Sequence, residues 1–290
     1  MHSKSLFCTD VYKKTQKNER GIEMAGRFDG ILICSDFDGT LFTGREISKE
    51  NAEAIRYFQE NGGYFTITSG RYPAFLGTHR HRVEANTYLI GLNGTIISNY
   101  DGSDVLRQGF LKPESGEVVK KILREVKGFS SLCFSTTEIP ERIRECCEAP
   151  DGEGYFRYLV GTHDEDLLDL ALSCKIHRII FNTVEPADDG ITDAIREIAG
   201  QEHAISRSFS HGIEIQDAAF TKGSCARYLA NHLGVHTLIG VGDYENDASL
   251  VREADIGCAV ANAIPQLQAI ADRILPSVEK HPFVELISSL

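Results

Sequence analysis

Two aspartates, Asp36 and Asp38, stand two residues apart, directly after an apolar run and directly before Gly39 and Thr40. Alone, Asp-Phe-Asp-Gly reads as an ordinary polar turn. Three later stretches change that reading. Ser69-Gly70-Arg71 supplies a hydroxyl beside a glycine, which can donate to a phosphoryl oxygen next to free backbone N–H groups. Lys222 supplies a cation that would neutralise charge on a phosphoryl group. Asp243, at the end of a later apolar run, supplies a third carboxylate. Three aspartates brought together must shift their pKa values or bind a cation. With no histidine or cysteine among them the ligand set is all oxygen, which favours Mg2+. The chemistry such a set could perform is phosphoryl transfer.

Those residues must be carried to one place. In an open α/β sheet, ligands sit beyond the carboxyl ends of the parallel strands. The β-branched run at 31–35 suits a strand buried on both faces. Runs at 64–68, 88–92, 237–241 and 256–260 read the same way. Asp36, Asp38, Ser69 and Asp243 then fall at or just past strand ends, and Lys222 opens a helix predicted over 222–232 with Gly234 as its stop. Ser48 is the expected N-cap of an earlier helix that ends at Gly62-Gly63. Asn93-Gly94 predicts a tight hairpin. Between about 100 and 210 the strict strand–helix rhythm lapses. Helical patterns at 114–127, 164–172 and 188–199 alternate with strand-like runs at 131–135, 175–182 and 204–209. This reads as an α+β insertion with its own sheet. In 175–181, alternation puts Lys175, His177 and Ile179 on one face and Ile176, Arg178 and Ile180 on the other. The basic positions read as solvated surface, with a basic face over an anionic substrate as the alternative. Tyr155 and Arg157 are similar candidates. Residues 213–215 read as a strand back in the parallel core.

The motifs resemble the haloacid dehalogenase superfamily, and within it the Cof-type, sugar-phosphatase-like branch. The resemblance rests on DFDGTL at 36–41, TSGR at 68–71, TKGSCARYL at 221–229 and GDYENDASLV at 242–251, in that order. GLNGT at 91–95 and AVANA at 259–263 resemble further signatures of that branch. It implies a Rossmann-like, doubly wound parallel sheet at 28–99 and 211–290, with a class II, type B cap inserted at 100–210. It also implies a Mg2+-dependent phosphatase acting on a small phosphorylated metabolite such as a sugar phosphate. Asp36 would be the nucleophile that forms an aspartyl-phosphate, and Asp38 the acid and then the base. Ser69, with Gly70, would bind the phosphoryl oxygens, and Lys222 would tie the nucleophile to the phosphoryl charge. Mg2+ would be held by the Asp36 carboxylate, the Asp38 backbone carbonyl and Asp243, with Asp247 acting through water or Lys222. Asn246 would touch phosphate or metal, or cap the following helix as Asp247 also could. Asn93 and Arg71 would serve the substrate, Arg71 having an internal salt bridge as its alternative. A phosphosugar mutase and a phosphate-binding regulatory module share these residues. One departure is the Lys280-His281-Pro282-Phe283 stretch, where an acidic-glycine turn is expected.

Composition bounds the partners. The formal net charge is −12 over 290 residues, which argues against nucleic acid and anionic membrane. An anionic substrate must therefore be held by local charge. No apolar run approaches a membrane span, and the polar N-terminus lacks a signal-peptide core. The eight cysteines show no metal spacing and read as small buried hydrophobes of a cytoplasmic protein. Residues 1–27 read as a poorly ordered extension, with Met24 as an alternative start. The expected state is a monomer or a homodimer.

Overall fold

The structure, a computed structural model, describes residues 26–148 and 154–290. The predicted extension lies outside the described residues up to residue 25, and with it the question of Met24.

The described chain opens with β1 (Ile31–Ser35), α1 (Lys49–Glu60), β2 (Tyr64–Ile67), α2 (Pro73–Gly77), β3 (Leu89–Gly91), β4 (Ile96–Ser98) and β5 (Val105–Gln108). It continues through α3 (Ser115–Glu125), β6 (Phe129–Thr136), α4 (Glu141–Cys146), β7 (Tyr155–Leu159), α5 (Glu165–Leu172), β8 (Ile176–Thr183), α6 (Asp189–Ala199), β9 (His203–Phe209) and β10 (Gly212–Asp217). It closes with α7 (Lys222–Leu233), β11 (Thr237–Gly242), α8 (Ala248–Glu253), β12 (Ile256–Val260), α9 (Pro265–Gln268), β13 (Arg273–Leu275) and α10 (Pro282–Ser288).

Five parallel strands run in the order β13-β12-β11-β1-β2. The α/β class read from the sequence is therefore present. β1 lies inside the sheet, between β11 and β2, and both its faces are apolar. Ile33 joins one core with Phe37, Phe58, Phe65 and Phe283, while Leu32 and Cys34 join the other with Ala226, Leu229 and Leu238. Helix ends follow local chemistry. Ser48 caps α1 by accepting from the Asn51 N–H, and Thr221 and Ser224 form a reciprocal capping box that fixes the first turn of α7. Gly234 ends α7 in the left-handed conformation. At the departure noted in the sequence, His281 takes a positive φ before Pro282 starts α10, and its Nδ1 lies 2.9 Å from the Ser48 hydroxyl.

The second sheet is antiparallel throughout, in the order β7-β6-β8-β10-β9. One face packs on the helices through Leu132, Phe134, Ile179, Ile215, Val119, Ile122 and Ile195. The opposite face carries Ser135, Arg178 and Glu214 and looks onto the parallel sheet.

Three expectations are corrected here. Residues 213–215 form a strand, but β10 pairs antiparallel with β8 and β9, outside the parallel core. The reason is visible in its alternation: Ile213 and Ile215 face the helices and Glu214 does not, whereas parallel core strands are apolar on both faces. β5, expected within the insertion, pairs with β4 in a small three-stranded sheet. The solvated reading of 175–181 holds for Lys175, which is exposed, and fails within β8. β8 lies between β6 and β10, so His177 and Arg178 are both buried.

The two chain crossings between the sheets pack side by side. Gly109 lies against Phe220, where a Cβ would come within 2.3 Å of the ring. The Arg107 guanidinium sits between the rings of Phe220 and Tyr228, at 4.5 and 4.7 Å. His177 donates from Nδ1 to the Gly109 carbonyl at 2.8 Å and stacks on Phe110.

Burial pushes the His177 imidazole down to about 4 from its ordinary 6.5, outweighing the Gly109 hydrogen bond that favours the charged form. The folded protein thus keeps it neutral where the unfolded chain takes up a proton. Its contribution to stability is complete above about pH 6.5 and is lost as pH falls toward 4, by up to ~3 kcal/mol. Urea titrations at pH 7 and pH 4.5 should show a smaller acid loss for His177→Gln than for the parent. Equal losses would mean that His177 does not carry this linkage.

Candidate active site

The carboxyl ends of β1, β2 and β11 stay in register one residue past the strands. The Asp36 N–H donates to the Val241 carbonyl at 2.8 Å, and the Thr68 N–H donates to the Ser35 carbonyl at 2.7 Å. Asp36, Ser69 and Asp243 therefore leave the sheet side by side. Lys222, the first residue of α7, is wholly buried. Its ammonium donates to Asp36 Oδ1 at 2.6 Å and to Asp247 Oδ1 at 2.5 Å.

Asp247 does not cap α8 with its side chain. Its second oxygen accepts from the N–H groups of Asp243 and Tyr244, at 3.0 and 3.1 Å, and so folds the acidic loop onto Lys222. Thr40 donates to Asp243 Oδ1 at 3.0 Å. Gly39 has φ +83 and lies so close to Asp243 that a Cβ would sit 2.4 Å from Oδ2. Only glycine suits both conditions. Carboxylate oxygens of Asp36, Asp243 and Asp247 all lie within 4.8 Å of one another.

The electrostatics follow from three acids against one lysine. Burial raises the Asp36 carboxyl well above its ordinary range and Asp247 adds to it, while Lys222 works the other way. Burial and Asp247 likewise push Asp243 up to about 6. Burial opposes the Lys222 charge, but Asp247 and Asp36 outweigh it and raise the ammonium. The cluster is short of positive charge and offers hard oxygen donors, so it could hold a divalent metal ion.

Asp38 turns elsewhere. Arg71 grips its carboxylate with two bonds, Nε to Oδ2 at 2.6 Å and Nη2 to Oδ1 at 2.9 Å, and stacks over Phe75. The internal salt bridge foreseen for Arg71 is thus to the second aspartate of the motif. Ser69 is buried; its hydroxyl accepts from the Arg71 N–H at 3.2 Å. Asn93, in a left-handed conformation, is also buried and takes the Asn246 amide on Oδ1 at 3.1 Å.

Residues of the antiparallel sheet and of α6 reach the loops around the site. Arg178 donates to the Gly70 carbonyl at 2.6 Å and to Glu214 at 2.5 Å. Arg196 and Arg207 both hold Glu245, which lies within the acidic loop, at 2.5 and 2.6 Å. Sequence patterns alone gave no role to Thr40, Glu214 or Glu245. The signal for Glu214 was its single charge between two isoleucines of a strand. A cleft of about 550 Å³ between the sheets is lined by Gly70, Arg71 and Phe75 below and by Tyr155, Arg157 and Asn182 above. A second cavity of about 630 Å³ lies on the side of Asn93, Lys222 and Glu245.

A lid inserted over the carboxyl edge of a five-stranded parallel sheet is the architecture of a capped α/β hydrolase. Comparison with known families narrows the class: residues 33–287 match the profile of the haloacid dehalogenase-like hydrolases, and the chain belongs to that family, in its Cof-type branch of phosphatases. Phosphatase YwpJ of Bacillus subtilis (strain 168) is 23% identical over 286 residues, covering 89% of this chain and 99% of its own length. Among solved structures, the phosphatase BT1666 from Bacteroides thetaiotaomicron superposes with a TM-score of 0.71 at 18% identity, over 93% of this chain and 98% of that one. The subclass IIB sugar phosphatase BT4131 gives 0.67 at 17% identity, over 89% and 98%. At such identities the likeness establishes the fold. Among the described residues, no helix is long and apolar enough to cross a membrane.

Removing the Lys222 charge should leave two carboxylates buried without their partner. Lys222→Met is expected to lower unfolding free energy by about 3–5 kcal/mol, read from urea titration. A loss below ~1 kcal/mol would mean that the ammonium is not needed to hold the acids in the fold.

Proposed function

We propose that the protein is a Mg2+-dependent phosphatase that releases inorganic phosphate from a small phosphorylated metabolite, a sugar phosphate, through an aspartyl-phosphate on Asp36. The observation that carries this reading is the buried Lys222 ammonium on Asp36 Oδ1, within the cluster of three carboxylates. Lys222 engages one oxygen of Asp36, orients the carboxylate and lowers the cost of bringing a phosphoryl dianion beside it.

In the first step an Asp36 oxygen bonds to phosphorus as the ester P–O bond breaks, and Asp38 gives its proton to the leaving oxygen. In the second, Asp38 takes a proton from water as that water attacks phosphorus and frees Asp36. An Asp38 paired with Arg71 is an acceptor. To hand over a proton it has to part from Arg71, which the incoming ester would bring about. Ser69 and the Gly70 backbone would bind phosphoryl oxygens. Mg2+ held by Asp36, Asp243 and the Asp38 carbonyl would offset the phosphoryl charge, with Asp247 acting through Lys222.

The leaving group belongs in the cleft lined by Arg71, because the acid that protonates it is on that side. Tyr155, Arg157 and Asn182 there offer hydrogen bonds to sugar hydroxyls. The seven described cysteines are free thiols, which suits a reducing, cytoplasmic setting.

The test is phosphate release from an aryl phosphate and a panel of sugar phosphates. Asp36→Asn should lower kcat roughly a thousandfold or more. Chelation should abolish activity and added Mg2+ should restore it. Undiminished turnover in the variant removes Asp36 as nucleophile. An isomeric phosphosugar in place of free phosphate would make the protein a mutase.

A further inference from the structure

We propose that Glu214, on β10 of the antiparallel sheet, is a positioning residue that fixes the amide orientation of Asn93 and Asn246 beside the reacting group. The proposal rests on the phosphatase reading above, since it concerns how the same site is held.

Glu214 is a charged side chain with 1% exposure, paired with an Arg178 that is 9% exposed. Its Oε2 accepts from Arg178 Nη1 at 2.5 Å and from Asn93 Nδ2 at 2.6 Å, and Oε1 accepts the Ser208 hydroxyl. A carboxylate beside a guanidinium can only accept. Asn93 is therefore obliged to turn its NH2 toward Glu214. That leaves Asn93 Oδ1 facing Asn246, and an oxygen there can only accept, so Asn246 in turn must present its NH2, at 3.1 Å. The two ends of an amide have nearly the same shape, and an isolated pair could sit either way round. Here one carboxylate in the lid decides both. Asn246 consequently keeps its amide oxygen at the end remote from Asn93, as an acceptor within the acidic loop.

The rest of Asn93 is held so that only this choice was open. Its backbone is left-handed, its N–H donates to the Ser69 carbonyl at 2.9 Å, and its carbonyl accepts Gln216 Nε2 at 2.9 Å. Glu214 and Gln216 are two apart on β10 and so share a face. Arg178, the counter-ion, also donates to the Gly70 carbonyl. β10 thus holds Asn93, and through it Asn246 of the acidic loop, while Arg178 of the neighbouring β8 holds the Ser69 loop at Gly70.

The experiment is a double-mutant cycle between two residues that both hydrogen-bond Asn93: Glu214→Gln and Asn246→Ala, alone and together. Each protein is checked for folding by circular dichroism and thermal melting. It is then read by kcat and KM on an aryl phosphate, and by calorimetric affinity for inorganic phosphate with Mg2+ present. Glu214→Gln is expected to lower kcat at least tenfold with KM changed less than threefold. The double variant should lose much less than the product of the two single losses. Multiplicative losses, or parental kcat in Glu214→Gln, would overturn the proposal. Should Glu214→Gln fail to fold, Glu214→Asp, which keeps the charge and retracts the acceptor by one methylene, takes its place in the cycle. There too, a shared loss supports the proposal and multiplicative losses overturn it. A parent chain that binds phosphate yet hydrolyses nothing would refute the phosphatase reading and the proposal with it, whereas an active parent with multiplicative losses would overturn the Glu214 proposal alone.

Discussion

A lysine ammonium shut away from water between two carboxylates is the constraint on which this structure is built. Burying any one of Lys222, Asp36 or Asp247 alone would be costly, and the three are tolerable only as a set. Their union joins three distant parts of the chain: the end of β1, the start of α7 and the loop after β11. Everything nearby serves that union. The Thr221–Ser224 capping box sets where α7 begins, so that its first residue points inward. The Asp247 carboxylate folds its own loop back by accepting two backbone N–H groups.

The same union leaves an imbalance. Asp243 joins the acids without a lysine of its own, and the Thr40 hydroxyl donates to it. Burial and mutual repulsion lift Asp36 and Asp243 from their ordinary range. A site in this state gains from positive charge, and the space beside Gly39 is kept free of a side chain. The fold thus holds an electrostatic arrangement that a cation would relieve.

The lid is tied to the core by charge on both sides of this centre. Arg178 reaches the Gly70 carbonyl on one side, and Arg196 and Arg207 hold Glu245 on the other. The first tie runs to a neutral carbonyl and the second is an ion pair with a half-exposed Arg196, so screening by salt bears on the second. Lid and acidic loop are consequently not independent: a displacement of the lid withdraws partners from Glu245, two residues from Asp243.

Much of this was written in local sequence. Apolar runs ending in Asp36, Ser69 and Asp243 announced a parallel sheet and the edge at which chemistry belongs, because strand burial and strand ends are local properties. The helix start at Ser48 was equally legible from its capping hydroxyl, and the helix opening at Lys222 was placed as well. The sheet to which residues 213–215 belong was not, although the isoleucine–glutamate–isoleucine alternation carried a hint. Nor was the burial of Arg178, since a charged residue in an alternating run looks the same whether it faces solvent or another domain. The sequence by itself determined the residue types at the site and the strands that deliver them. Only the tertiary structure decided that Lys222 spans Asp36 and Asp247, that Asp38 is claimed by Arg71, and that Glu214 orders two asparagines from the opposite sheet. Those are pairings between atoms up to about two hundred residues apart, and which donor meets which acceptor follows from how two sheets are laid against each other rather than from any stretch of chain.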